Sequence, residues 1–268
     1  MYNNWMSSLL FFSSLFFLLS CKDDTEETDP FPGTGDDYKI VIETSKEQPG
    51  LGESDAYPLG QPLKLPEGIR LVQRRHHKFD PDISKLYAHT NFFYVDVNLV
   101  NDRMPGTPSV TVEFPAGLIV VSMDHDKQNG ISIERFLVPV PPTERIGGGR
   151  DTTTIYIGMA CLNEKRSMPW YDNEGEEQRY PISRNNFQDF LVTNDKNLLQ
   201  FIDIVKEHPK LRITRHWDPV EAHEPDYVTP EWMKIHSRIQ GLIWQITDGH
   251  GIRQGEIAAL KQELLAYK

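Results

Sequence analysis

The sequence predicts an α+β fold: an antiparallel β sandwich or barrel over roughly residues 38–162, followed by helices packed on it over 163–268. Three observations carry that expectation. Short apolar runs, several alternating with period two, recur between Pro and Gly turns as far as residue 162. They are separated by turns and not by helical patterns, which disfavours a doubly wound parallel sheet. After residue 162 the apolar period lengthens to that of amphipathic helices.

Taken in order, the strand candidates begin with 38–44 and 69–73. The run 92–100 alternates from Tyr94 onward and places Val95, Val97 and Leu99 on one face. Runs 110–114, 118–121 and 131–136 follow, broken by Pro115, Gly117 and the pair Asn129 and Gly130. Gly147, Gly148, Gly149 and Arg150 read as a hairpin connection leading into a strand over 152–161. Segments 163–185 and 209–228 read as loops. A helix over 195–206 carries Leu198, Leu199, Ile202 and Val205 at helical spacing, with Asn194 or Asp195 as its cap. The next begins at Thr229, Pro230 and Glu231, which offer a cap hydroxyl, a proline for the first helical position and then an acid. It runs through Trp232, Ile235, Ile239, Leu242, Ile243 and Ile246 to Gly249, and a last helix covers 256–266. The body, 38–268, reads as one globular domain without internal repeats.

The start of the chain has a different character. The first charged side chain is Lys22, and Ser7 to Leu19 consist only of Leu, Phe and Ser. Such a run fits the apolar core of a signal peptide and is short for a membrane span. It ends in Leu18, Leu19, Ser20 and Cys21, which resembles the lipobox of bacterial lipoproteins. That resemblance implies cleavage after residue 20, a palmitate-type lipid anchor on Cys21 and attachment to a membrane. The leader lacks the usual Lys or Arg, and an ordinary secretory signal is the alternative reading. Residues 21–37 are acidic and rich in Thr, Pro and Gly, which predicts a disordered tether. A Lys followed by acids just after the cysteine also resembles the surface-export signal of Bacteroidetes lipoproteins. It implies the outer membrane and its outward face.

Composition narrows the function classes. The formal net charge is −11, and the one basic cluster, Arg74 to Lys78, is followed at once by Asp80 and Asp82, so nucleic acid is not an expected partner. With Cys21 lipidated, Cys161 is the remaining thiol of an exported chain, and no disulfide framework is expected. Such a cysteine is buried and inert, paired to another chain, or chemically employed.

Two strings give the third option content. Met159, Ala160, Cys161, Leu162 and Asn163 close a predicted strand, and Ile239, Gln240, Gly241, Leu242, Ile243 and Trp244 lie inside the best-formed predicted helix. Together they resemble the two motifs of thioester domains on bacterial surface adhesins, over about residues 90–250. Ala160 departs from that pattern, in which an aromatic residue is common. The resemblance implies a bond between the Cys161 sulfur and the Gln240 side-chain carbonyl, and hence single-turnover acylation of an amine on a host or neighbouring surface protein. That would be covalent binding, with no catalytic residue and no cofactor. The chemistry needs a thiol held at attack distance, donors for the developing oxyanion, and exclusion of water. Trp244, at i+4 from Gln240, is placed to shield the bond, and Gly241 leaves room for the close approach of another chain. The other reading makes Cys161 a small core residue, Gln240 a polar rim residue and Trp244 ordinary core, in a non-covalent binding or assembly lipoprotein.

Weaker constellations are His76 and His77; Asp124, His125 and Asp126; and His216 and His223 flanking Asp218, Glu221 and Glu224. None has zinc-helix spacing, so no metal is expected. Trp170, Tyr171 and Trp217 could form a platform for a glycan partner. There is no nucleophile elbow and no phosphate loop. Nothing favours a hydrolase with paired carboxylates.

Overall fold

A computed structural model describes residues 35–72, 83–90, 93–146, 149–150, 152–168, 182–183, 187–206, 208, 211–213 and 224–266. Its strands are β1 (Ile40–Ile42), β2 (Gly60–Pro62), β3 (Ile69–Leu71), β4 (Leu86–Tyr87), β5 (Phe93–Asn101), β6 (Val110–Phe114), β7 (Leu118–Ser122) and β8 (Gly130–Ser132). There follow β9 (Phe136–Val140), β10 (Arg145–Ile146), β11 (Gly149–Arg150), β12 (Thr153–Cys161), β13 (Ile182–Ser183) and β14 (Phe187–Thr193). Helices α1 (Lys196–Val205) and α2 (Glu231–Thr247), strand β15 (Ile252–Arg253) and helix α3 (Gln254–Ala266) complete the chain.

The fold class is α+β, mostly sheet with helices at the C-terminal end. The main sheet is a curled half-barrel with the order β13-β5-β12-β8-β7-β14-β2, and β3 and β4 pair with β5 and β12 beside that path. Its pairs are antiparallel except β12 with β4 and β13 with β5. Strands β6 and β9 form a separate hairpin. β10 and β11 pair with Ile146 opposite Gly149, so Gly149 and Arg150, expected in a connection, lie in a strand, while Gly147 and Gly148 fall outside the described residues.

Strict alternation along β12 divides the interior in two. Ile155, Ile157, Met159 and Cys161 join Val95, Val97 and Leu99 of β5 and the apolar side of the β6–β9 hairpin in one cluster. Ala160 and Leu162 face the opposite side, where α1, α2 and α3 bury Phe201, Ile239, Ile243, Ile246 and Leu260. A strand covered on both faces becomes an unbroken apolar run, which is why β12 is buried from Ile155 to Cys161. Gly158 sits where a loop crosses this strand. A Cβ there would lie 2.2 Å from the carbonyl oxygens of both Ala88 and Thr90, so no larger residue fits without moving that backbone.

Helix α1 is capped by Asp195, whose carboxylate accepts from the N–H groups of Asn197 and Leu198. For α2 the expected cap is corrected. Pro230, not Thr229, is the capping residue and makes no side-chain bond, while Glu231 is the first helical residue. The strand expected over 131–136 is also corrected: the chain leaves β8 at Ser132 and starts β9 at Phe136.

The N-terminal part of the described chain is closed by its C-terminal part. β1 pairs with β15. The Ser45 N–H donates to the Ile246 carbonyl at 2.7 Å, and the Thr44 hydroxyl, 202 positions away in sequence, donates to the same oxygen.

Candidate functional site

The site forms where β12 outruns its neighbour. The last pair between β12 and β5 is Met159 with Phe93, while pairing with β8 continues to Cys161 opposite Gly130. The next residue, Leu162, donates its N–H to the Asn129 carbonyl at 3.0 Å on the β8 side. Antiparallel strands turn successive main-chain groups to alternate sides. The N–H and C=O of Cys161 therefore point the other way, past the end of the β5 pairing. Left there unpaired and buried, they would cost folding energy.

The Gln240 carboxamide occupies that position. Its Oε1 accepts from the Cys161 N–H at 2.7 Å, and its Nε2 donates to the Cys161 carbonyl at 2.8 Å. One side-chain amide thus replaces a missing strand. Its orientation is fixed, because the flipped amide would set donor against donor and acceptor against acceptor. Cys161 is 0% exposed and Gln240 1% exposed. Both sequence-selected residues are brought together, from strand and helix, in the interior.

Trp244, one helical turn on, is half-buried and packs on the same cluster that contains Cys161. At Gly241 a Cβ would meet nothing within 4 Å, so among the described residues the space beside it is open. Burial alone pushes the Cys161 thiol far above its ordinary range, so at neutral pH it is a neutral thiol.

The chain beyond Cys161 is held by an amide network that the sequence does not announce. Asn163 donates through Nδ2 to the carbonyls of Gly50 at 3.2 Å and Gly52 at 2.8 Å, and its Oδ1 accepts from the Asn129 N–H at 2.9 Å. The Asn129 side chain in turn bonds the Ser122 N–H and the Gly50 carbonyl. The Glu164 N–H donates to Asp248, a second tie between the strand end and α2. Burial, reinforced by Asp248, raises the Glu164 carboxyl. Burial is also the main cause of the rise at Asp248.

A second feature read from no motif is a pair of imidazoles holding residues 211–213. His236, one turn before Gln240 on α2, bonds the Leu211 carbonyl through Nε2 at 2.9 Å, and His89 accepts the Ile213 N–H on Nδ1 at 3.1 Å. The His89 bond requires a neutral ring with its proton on Nε2, and the His236 bond requires a proton on Nε2. Burial brings both pKa values down to about 4, with the Arg212 charge adding to the effect at His89 and the His89 charge adding to it at His236. The only sequence signal was the i−4 spacing of His236 from Gln240.

The remaining candidates do not converge. Asp124, His125 and Asp126 lie on an exposed turn in which Asp124 accepts the Asp126 N–H. Among the described residues no group of three or more His, Cys, Asp or Glu is placed to hold a metal ion, and no helix is long and apolar enough to cross a membrane. Glu224 is exposed. Cys21, His76, His77, Trp170, Tyr171, His216, Trp217, Asp218, Glu221 and His223 lie outside the described residues. The chain matches no protein-family model, no curated protein and no solved structure.

Proposed function

We propose that this chain is a cell-surface lipoprotein, tethered by a lipid on Cys21, that binds a partner covalently through an internal thioester between Cys161 and Gln240. The observation that carries the reading is the docking of the buried Gln240 carboxamide on the buried Cys161. The hydrogen bond to Oε1 polarises the amide carbonyl and lies where negative charge would develop. The sulfur adds to the side-chain carbonyl carbon of Gln240, the C–N bond breaks, and ammonia leaves with the proton given up by the thiol. A partner's amine then attacks the thioester, forming an amide and returning the proton to the Cys161 sulfur. Trp244 is the cover that must move for that amine to enter. The membrane anchor, the outward address and the amine-bearing protein partner rest on the sequence features of residues 7–37 and on the resemblance of the two motifs.

A specific observation also favours the non-covalent reading. Gln240 bonds the main chain of Cys161, a role that any residue but proline at 161 would satisfy, and the thiol is not activated. The mass of the intact body, residues 22–268, separates the two. A deficit of one ammonia, resistance to thiol reagents, mass gain with methylamine and loss of all three in Cys161→Ala are expected. Full sequence mass with a thiol that alkylates once the protein is unfolded would leave a binding or assembly module in which Cys161 is core. The address is checked separately, by incorporation of labelled palmitate into the full chain and its loss in Cys21→Ala.

A further inference from the structure

The reactive pair sits at the last residue of a strand, where a chain normally frays. Its geometry therefore depends on what pins residues 162–163. Leu162 is held on both main-chain sides, by the Asn129 carbonyl at 3.0 Å and the Gly52 N–H at 3.2 Å. Both of those partners belong to segments that Asn163 ties together, through the Asn129 N–H and the Gly50 and Gly52 carbonyls. Asn163 is 0% exposed and both of its Nδ2 hydrogens and its Oδ1 are engaged, so the side chain has one fixed pose. The same contacts reach β7 through Asn129 and the Ser122 N–H.

We infer that Asn163 is a positioning residue for the bond between Cys161 and Gln240. The inference rests on the thioester reading and adds the element that sets its attack geometry. By fixing Leu162 it directs the Cys161 N–H at Gln240 Oε1, and it holds the Cα that carries the sulfur beside the amide carbon. Intramolecular attack on an unactivated amide responds steeply to such placement, by about a hundredfold for an ångström-scale shift. The atoms balance as in the parent reaction: the S–C bond forms, the C–N bond breaks, and the thiol proton leaves with ammonia.

The test follows bond formation in the full chain, purified in detergent at intervals after a labelling pulse, by mass mapping of the peptides that carry Cys161 and Gln240. Protease resistance reports folding in the same samples. Asn163→Ala and Asn163→Ser are compared with Leu99→Ala, a core truncation opposite Thr153 at the far end of β12 that lowers stability away from this network. Expected is ammonia loss at least about tenfold slower in the folded Asn163 variants, with the native rate kept in Leu99→Ala. Bond formation at the native rate in Asn163→Ala or Asn163→Ser would overturn the inference and leave the thioester reading standing. Equal slowing in Leu99→Ala would also overturn it, as would failure of both Asn163 variants to become protease resistant, since Asn163 would then hold the fold and not the attack geometry. Absence of ammonia loss in the native chain would remove the parent reading, and this inference with it.

Discussion

In a Cys161→Ala background, where no thioester can form, Gln240→Ala is expected to lower the stability of the folded body by about 2–4 kcal/mol. The substitution strands two buried main-chain groups, the N–H and C=O of Cys161, each costing about 1–3 kcal/mol when unsatisfied. It also removes side-chain packing between α2 and the sheet. Because the partners are main-chain atoms, they survive in Cys161→Ala. Urea unfolding of Gln240→Ala in that background should therefore show the loss of the two amide bonds free of any covalent contribution. A loss below about 0.5 kcal/mol there would mean that the carboxamide is not the strand substitute described above.

Acid should destabilise the fold well before its carboxylates are exhausted. His89 and His236 have folded pKa values of about 4 against an ordinary 6.5. A histidine with a depressed folded pKa stabilises fully above its unfolded value, and that stability is lost as pH falls from about 6.5 towards about 4. For His236 the full shift is worth about 3 kcal/mol. His89 is only partly buried, so its share is cut by solvent screening to roughly half of that. Glu164 and Asp248, raised by burial, work in the opposite direction near their own titration. The slope of unfolding free energy between pH 6.5 and 5 is thus the diagnostic part, and His236→Gln should flatten much of it. A flat profile in the native protein over that interval would contradict the buried neutral pair.

The fold was legible wherever a single period governed the residues. β5, β6, β7 and β12 declared themselves because their alternation or apolar runs reflect layers on one or both faces. β14 did not, although it lies inside the sheet between β7 and β2. Its Gln188 and Asp189 interrupt the apolar pattern, and the helix signal after it starts at once. The short strands β4 and β13 have too few residues to show a period and are placed by their partners alone. At the site, Cys161 and Gln240 were legible as a pair through motif resemblance. The hydrogen bonds that join them were not, because they depend on where β5 ends. Asn163 stood in the quoted string without a role, since its partners at Gly50, Gly52 and Asn129 are set by three-dimensional approach.

The seam between β1 and β15, with Thr44 reaching across 202 positions, has a kinetic meaning. Contacts of such sequence separation carry a large loop-closure cost and form late. Residues 41–45 already have partners on α1, where Gln200 bonds the Val41 carbonyl and Asn197 the Thr44 carbonyl, but the pairing of β1 waits for β15, which follows α2. The seam is therefore a late-forming part of the fold, and until it closes β1 lacks its strand partner and stays open to proteases.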